Sequence, residues 1–174
     1  LKADHFIVYY AKDEAFAREV ARKAEYCYNQ VASDLGYARY TNFWQWDKRV
    51  KIWIHPDKTS YLRATGQPSW SIGNANYFKK EVSSYVGSDR FVEETLPHEI
   101  THLVFRDFVG FEGQVPLWLD EGVAQWQELS KRQLVKIFVR QLYNEKRLVS
   151  LRRLTVMTPA HLRSDEAARR FYIQ

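Results

Sequence analysis

The 174-residue chain holds a single cysteine, Cys27, so it can form no internal disulfide and no cysteine-rich zinc site. Cys27 falls in an amphipathic helical pattern, where a small core or boundary residue is expected rather than a reactive thiol. No apolar run approaches the ~18 residues of a membrane span, and no basic, apolar, small-residue succession opens the chain as a signal peptide does. Internal repeats and low-complexity tracts are also missing. What remains is a chain with 45% hydrophobic residues, enough for one globular domain with a real core. It starts at Leu1 and stops at Gln174 inside the helix-like stretch "DEAARRFYIQ", so a single domain over 1–174 taken from a longer chain is the expectation.

Charge is scarce in neither sign but unevenly placed. The net charge is +5; residues 131–174 hold eleven Lys/Arg against three Asp/Glu, whereas residues 1–130 are net negative. A basic stripe of this kind is most simply a solvated helix face, and it can also meet an anionic polymer or envelope surface.

Strand and helix periods alternate along the chain. "HFIVYY" (5–10) and "VKIWIH" (50–55) are short β-branched and aromatic runs that predict strands. Between them, apolar positions Phe16, Val20, Ala24, Cys27, Tyr28 and Val31 recur at three and four, predicting a helix from Asp13 to about Leu35 that stops at Gly36. A short helix over about 58–64 closes at Gly66. Residues 71–78 and 82–87 predict two extended stretches around the charged turn "KKE", as a hairpin or edge pair. Later helices are expected from about 96 to 107, from Pro116 onward, over 131–146 and over 159–172. Strands first and helices later point to α+β, with a small, mostly antiparallel or mixed sheet packed on helices.

One segment does not fit a plain core helix. "LPHEITHLVF" (96–105) places His98, Glu99 and His102 in an apolar helical run that Thr95 can N-cap and whose first turn holds Pro97. Histidines four apart leave the same helix face, roughly 6 Å apart along the axis, a separation that one metal ion can bridge. Zinc accepts neutral imidazole nitrogen, and Glu99, about 100° round the helix, can reach a water beside the metal without ligating it. The competing reading is a pair of core histidines satisfied by backbone partners; it leaves the intervening carboxylate needing a cation of its own. A zinc site needs a third protein ligand. "HEITHLVFRDF" lacks the glycine and third histidine of HExxHxxGxxH, so a carboxylate is left. Glu121 in "WLDEGVAQW", with eighteen residues between it and His102, is the best placed, because a short helix–helix connection can return its helix antiparallel. Gly122 beside it would permit close approach. Asp120 is expected to serve as N-terminal helix charge or as a partner to a ligand, and Asp107 and Glu112 as exposed charges.

These two motifs carry a resemblance. "LPHEITHLV" and "PLWLDEGVAQW" are similar to the paired motifs of the gluzincin zinc peptidases, the group containing thermolysin, and in particular to peptidase-MA-like domains, where HExxH is followed by a glutamate ligand on the next helix. The resemblance implies a minimal thermolysin-like catalytic domain with Zn2+ held by His98, His102 and Glu121, and with Glu99 as general base in peptide-bond hydrolysis. It also implies a hydroxyl or imidazole donor for the oxyanion, with Tyr172 preferred and Tyr143 and His161 as alternatives, and a peptide or protein substrate lying along an edge strand, for which "SIGNANY" (71–77) is the candidate. The glutamate of the aminopeptidase GxMEN motif is missing from that stretch, which weakens an aminopeptidase reading. Nucleic acid is not an expected partner. The alternative is a zinc-containing but catalytically incomplete module that binds an anionic polymer or envelope surface through its basic C-terminal third.

Overall fold

The structure is a computed structural model; it describes residues 1–36, 44, 48–88, 90–110, 115–128, 131–158 and 171. The chain divides into two compact units, Leu1–Val109 and Gly110–Gln174. The class is α+β, as the sequence pattern predicts.

The first unit is built on a four-stranded sheet of β1 (Phe6–Tyr10), β2 (Val50–His55), β3 (Gly73–Asn76) and β4 (Glu81–Tyr85), in the spatial order β1-β2-β4-β3. Its pairing is mixed, one of the two arrangements expected. β1–β2 and β2–β4 run parallel, and only β3–β4 is an antiparallel hairpin. The cause is in the connections: α1 (Glu14–Asp34) lies between β1 and β2, and α2 (Lys58–Thr65) with β3 lies between β2 and β4, and crossovers of that length return a strand parallel.

Local chemistry sets the element ends. Asp13 caps α1 by accepting from the Phe16 N–H at 2.9 Å, and Asp57 caps α2 by accepting from Ser60 N–H at 2.7 Å. Gly36 and Gly66 take left-handed φ of 67° and 68° just past the two helices, a conformation glycine adopts without a Cβ penalty. Phe6, Val8, Val50, Ile52 and Val82 alternate onto one face of the sheet. There they meet Ala17, Val20, Ala24 and Val31 of α1 and Leu96, Ile100, Leu103 and Val104 of α3 (Leu96–Val109) in one core cluster. Cys27 is in that core, and burial pushes its thiol up to about 11, so it is the inert core residue expected.

Asp107 departs from its expectation as an exposed charge. Its side chain is 5% exposed, and one carboxylate oxygen accepts from Lys80 Nζ at 2.7 Å and from the indole N–H of the buried Trp44. Helical periodicity places position 107 near the end of α3 but cannot show that the β3–β4 turn delivers a lysine to it. Asp107→Ala removes the acceptor of both donors and is expected to cost about 2–3 kcal/mol, while Asp107→Asn, which keeps an acceptor, costs less. Urea unfolding of the two variants beside wild type reads the difference.

The second unit contains α4 (Leu117–Trp126), α5 (Arg132–Asn144) and α6 (Leu151–Thr155), with α4 and α6 in contact. The predicted helices from Pro116 and over 131–146 correspond to α4 and α5. The five-residue α6, capped by Ser150, has no counterpart in the sequence reading, being too short to carry a period. Of the helix expected over 159–172, all but the helical, buried Phe171 lies outside the described residues. Among the described residues, no helix is long and apolar enough to cross a membrane.

Candidate metal centre

The chain enters α3 through a π-helical turn, Phe91–Thr95. Thr95 is therefore not the N-cap its side chain suggests: the backbone is already helical, and its N–H donates to the Arg90 carbonyl at 3.3 Å. Pro97 supplies a reason, since it has no N–H for the carbonyl four residues back, and a widened turn makes room for its ring. The edge strand lies close to this turn. A Cβ built on Gly73 would stand 3.0 Å from ring carbons of the fully buried Phe91 and 3.0 Å from Thr95 Cγ2, so only glycine fits without displacement.

Leu96, Ile100, Leu103 and Val104 anchor the core side of α3, which turns positions 98 and 102 to one shared side. His102 is 2% exposed and His98 half-buried. Their Nε2 atoms are 3.0 Å apart, and the rings meet edge to face with centroids 4.6 Å apart. At that separation either one imidazole donates to the other or both lone pairs face a common cation. Two nitrogens on a tetrahedral zinc, each at about 2.0–2.1 Å, stand roughly 3.3 Å apart, so the pair fits such an ion with little adjustment.

Glu121 is the fifth residue of α4, and the buried Asp120 is the acid of that helix's first turn, as its expected helix-charge role requires. His98 and His102 belong to the first unit and Glu121 to the second. Two imidazole nitrogens and a carboxylate oxygen form a donor set suited to zinc with one position left open. Among the described residues the close approach expected at Gly122 is not found: a Cβ there meets none of their atoms within 4 Å.

Glu99 is half-buried, one residue round the helix from His98. Tyr61 of α2, which carries no sequence signal of a functional role, lies within electrostatic reach of it. Burial pushes the Tyr61 phenol above its usual range, hydrogen bonds with Ser71 and Thr65 offset part of that push, and the Glu99 charge adds to it. The Tyr61 hydroxyl is 2.7 Å from Ser71 Oγ and donates to Asn74 Oδ1 at 3.2 Å, which fixes the start of β3. β3 is an edge of the sheet and packs against α3, as predicted for "SIGNANY". Just past its end, Tyr77 meets His102 edge-on with ring centroids 5.7 Å apart, and the Arg106 guanidinium sits over the Tyr77 ring at 6.0 Å. These contacts back His102 from the β3 side.

The oxyanion-donor candidates fare unequally. Tyr172 and His161 lie outside the described residues, as does Glu112, while Tyr143 sits on α5 and is 70% exposed. No protein-family model, curated protein or solved structure matches the chain.

Proposed function

We propose that the chain is a zinc-dependent peptidase of gluzincin type, acting on peptide or protein substrates. One observation carries the reading: the imidazoles of His98 and His102 point their Nε2 atoms at each other 3.0 Å apart, with Glu99 between them in sequence. His98, His102 and Glu121 would hold the ion. Zinc bound by such a set lowers the pKa of water toward ~7 and polarises a carbonyl oxygen.

The remaining work belongs to the chain's own side chains. Glu99 takes the proton from the attacking water as its oxygen bonds to the carbonyl carbon, then gives that proton to the amide nitrogen as the C–N bond breaks. The leaving group departs as a neutral amine, and the carboxylate is regenerated. Among the described strands β3 ends the sheet, so its outer edge can bond an extended peptide as an added strand, with Tyr61 and Gly73 fixing that edge beside α3. No glutamate stands in β3 to hold a free amino terminus, which favours cleavage within a chain over aminopeptidase action.

Digestion of a mixed peptide pool tests the reading. Cleavage products are expected with zinc-loaded protein, are lost on chelation and return with added zinc. Cleavage that continues unchanged in chelator, or none with zinc-loaded protein, contradicts it.

A further inference from the structure

α5 has the composition of an interfacial helix and none of the burial of a core one. Its sequence, "RQLVKIFVRQLYN", contains Arg132, Lys136 and Arg140 and no acidic residue. At about 100° per residue, Leu134, Ile137, Phe138, Leu142, Val135 and Val139 share one broad arc, and the three cations fall on the opposite arc. In a globular unit such an apolar arc is ordinarily buried. Here no residue of α5 is buried, and Leu134, Ile137 and Phe138 are 55%, 54% and 44% exposed. Adjoining α5, Trp126 is 53% exposed, with the Arg132 guanidinium stacked over its indole at 4.4 Å.

We propose that α5 lies in the headgroup region of an anionic lipid bilayer, with Leu134, Ile137 and Phe138 in the acyl boundary and Arg132, Lys136 and Arg140 on lipid phosphates. Charge selects this occupant. Residues 131–158 hold eight Lys/Arg and one Asp/Glu, so a second copy of the chain would bring two strongly positive surfaces together, whereas an anionic bilayer complements both arcs at once. Nucleic acid would answer the cations but leave the aliphatic arc in water. A helix with this pattern binds in the membrane plane rather than across it, which agrees with the lack of a spanning helix among the described residues. This inference does not depend on peptidase activity.

The test is sedimentation of the whole 174-residue chain with phosphatidylcholine vesicles, pure or containing about a third phosphatidylglycerol. The protein is expected to sediment with the anionic vesicles and hardly with the neutral ones. Two paired substitutions separate the contributions: Ile137→Asp with Phe138→Asp, and Lys136→Glu with Arg140→Glu. All four side chains are exposed, so the fold is expected to survive, as circular dichroism would verify. Each pair should lower vesicle partitioning by about ten-fold or more. Failure of the wild type to sediment with anionic vesicles overturns the proposal. So does sedimentation indifferent to the Ile137/Phe138 pair and matched by equal affinity for duplex DNA, which would assign the helix to polyanion binding instead.

Discussion

Glu99→Gln is expected to reduce peptide turnover by about 10²–10⁴-fold, the range that a positioned general acid–base supplies, while leaving zinc content unchanged. The variant keeps the size and hydrogen-bonding reach of the side chain but cannot take a proton from water. Glu99 points away from the two imidazoles by about a quarter-turn of helix, so it is not needed as a ligand. Its position is set by Ile100 and Leu103, which are buried and fix the rotation of α3 whether residue 99 is Glu or Gln. A fall in kcat with KM nearly constant is the expected signature, since the lost interaction acts in the transition state. Loss of zinc together with activity would instead make Glu99 a ligand, and unaltered turnover would remove it from the mechanism.

Zinc is expected to raise the unfolding free energy without being required for folding. At free zinc 1,000-fold above Kd, linkage gives about 4 kcal/mol of stabilisation, read as a higher melting temperature that chelation reverses. The apo chain should still melt cooperatively, because α3 is held by Leu96, Ile100, Leu103 and Val104, and His98 and His102 can hydrogen-bond each other when no ion is present. This differs from a zinc finger, where the metal replaces a core. His98→Ala with His102→Ala should abolish the zinc-dependent shift while leaving a folded protein. The cavity left at the buried His102 lowers the baseline, so the quantity to compare is the shift and not the absolute melting temperature.

The sequence was most legible where short-range chemistry decides. The helix start near Asp13, Gly36 and Gly66 as stops, the strand boundaries near 6–10 and 50–55, and the common face of His98 and His102 all follow from contacts within a few residues. Long-range chemistry was not legible. Parallel pairing of β1, β2 and β4 depends on which crossover returns beside which strand, and the burial of Asp107 depends on Lys80 and Trp44 arriving from 27 and 63 residues away. Tyr61 carries no sequence signal of its own; its role beside Ser71 and Asn74 exists only once α2 and β3 are packed. The π-helical turn ahead of α3 has no signature in the sequence, because Thr95 and Pro97 together imitate an ordinary helix start. The close approach expected at Gly122 depends on which segment packs against α4, and helical spacing does not carry that; among the described residues the position is open.

Zinc content per chain, measured by elemental mass spectrometry on purified wild type, His98→Ala and Glu121→Ala after dialysis against a weak chelator, tests the proposed metal centre most directly. Wild type is expected to retain about one zinc per chain, His98→Ala essentially none, and Glu121→Ala a small fraction, as the loss of one of three protein ligands requires. Full zinc retention by both variants, or none by the wild type under conditions where it is folded, would contradict a centre built on His98, His102 and Glu121.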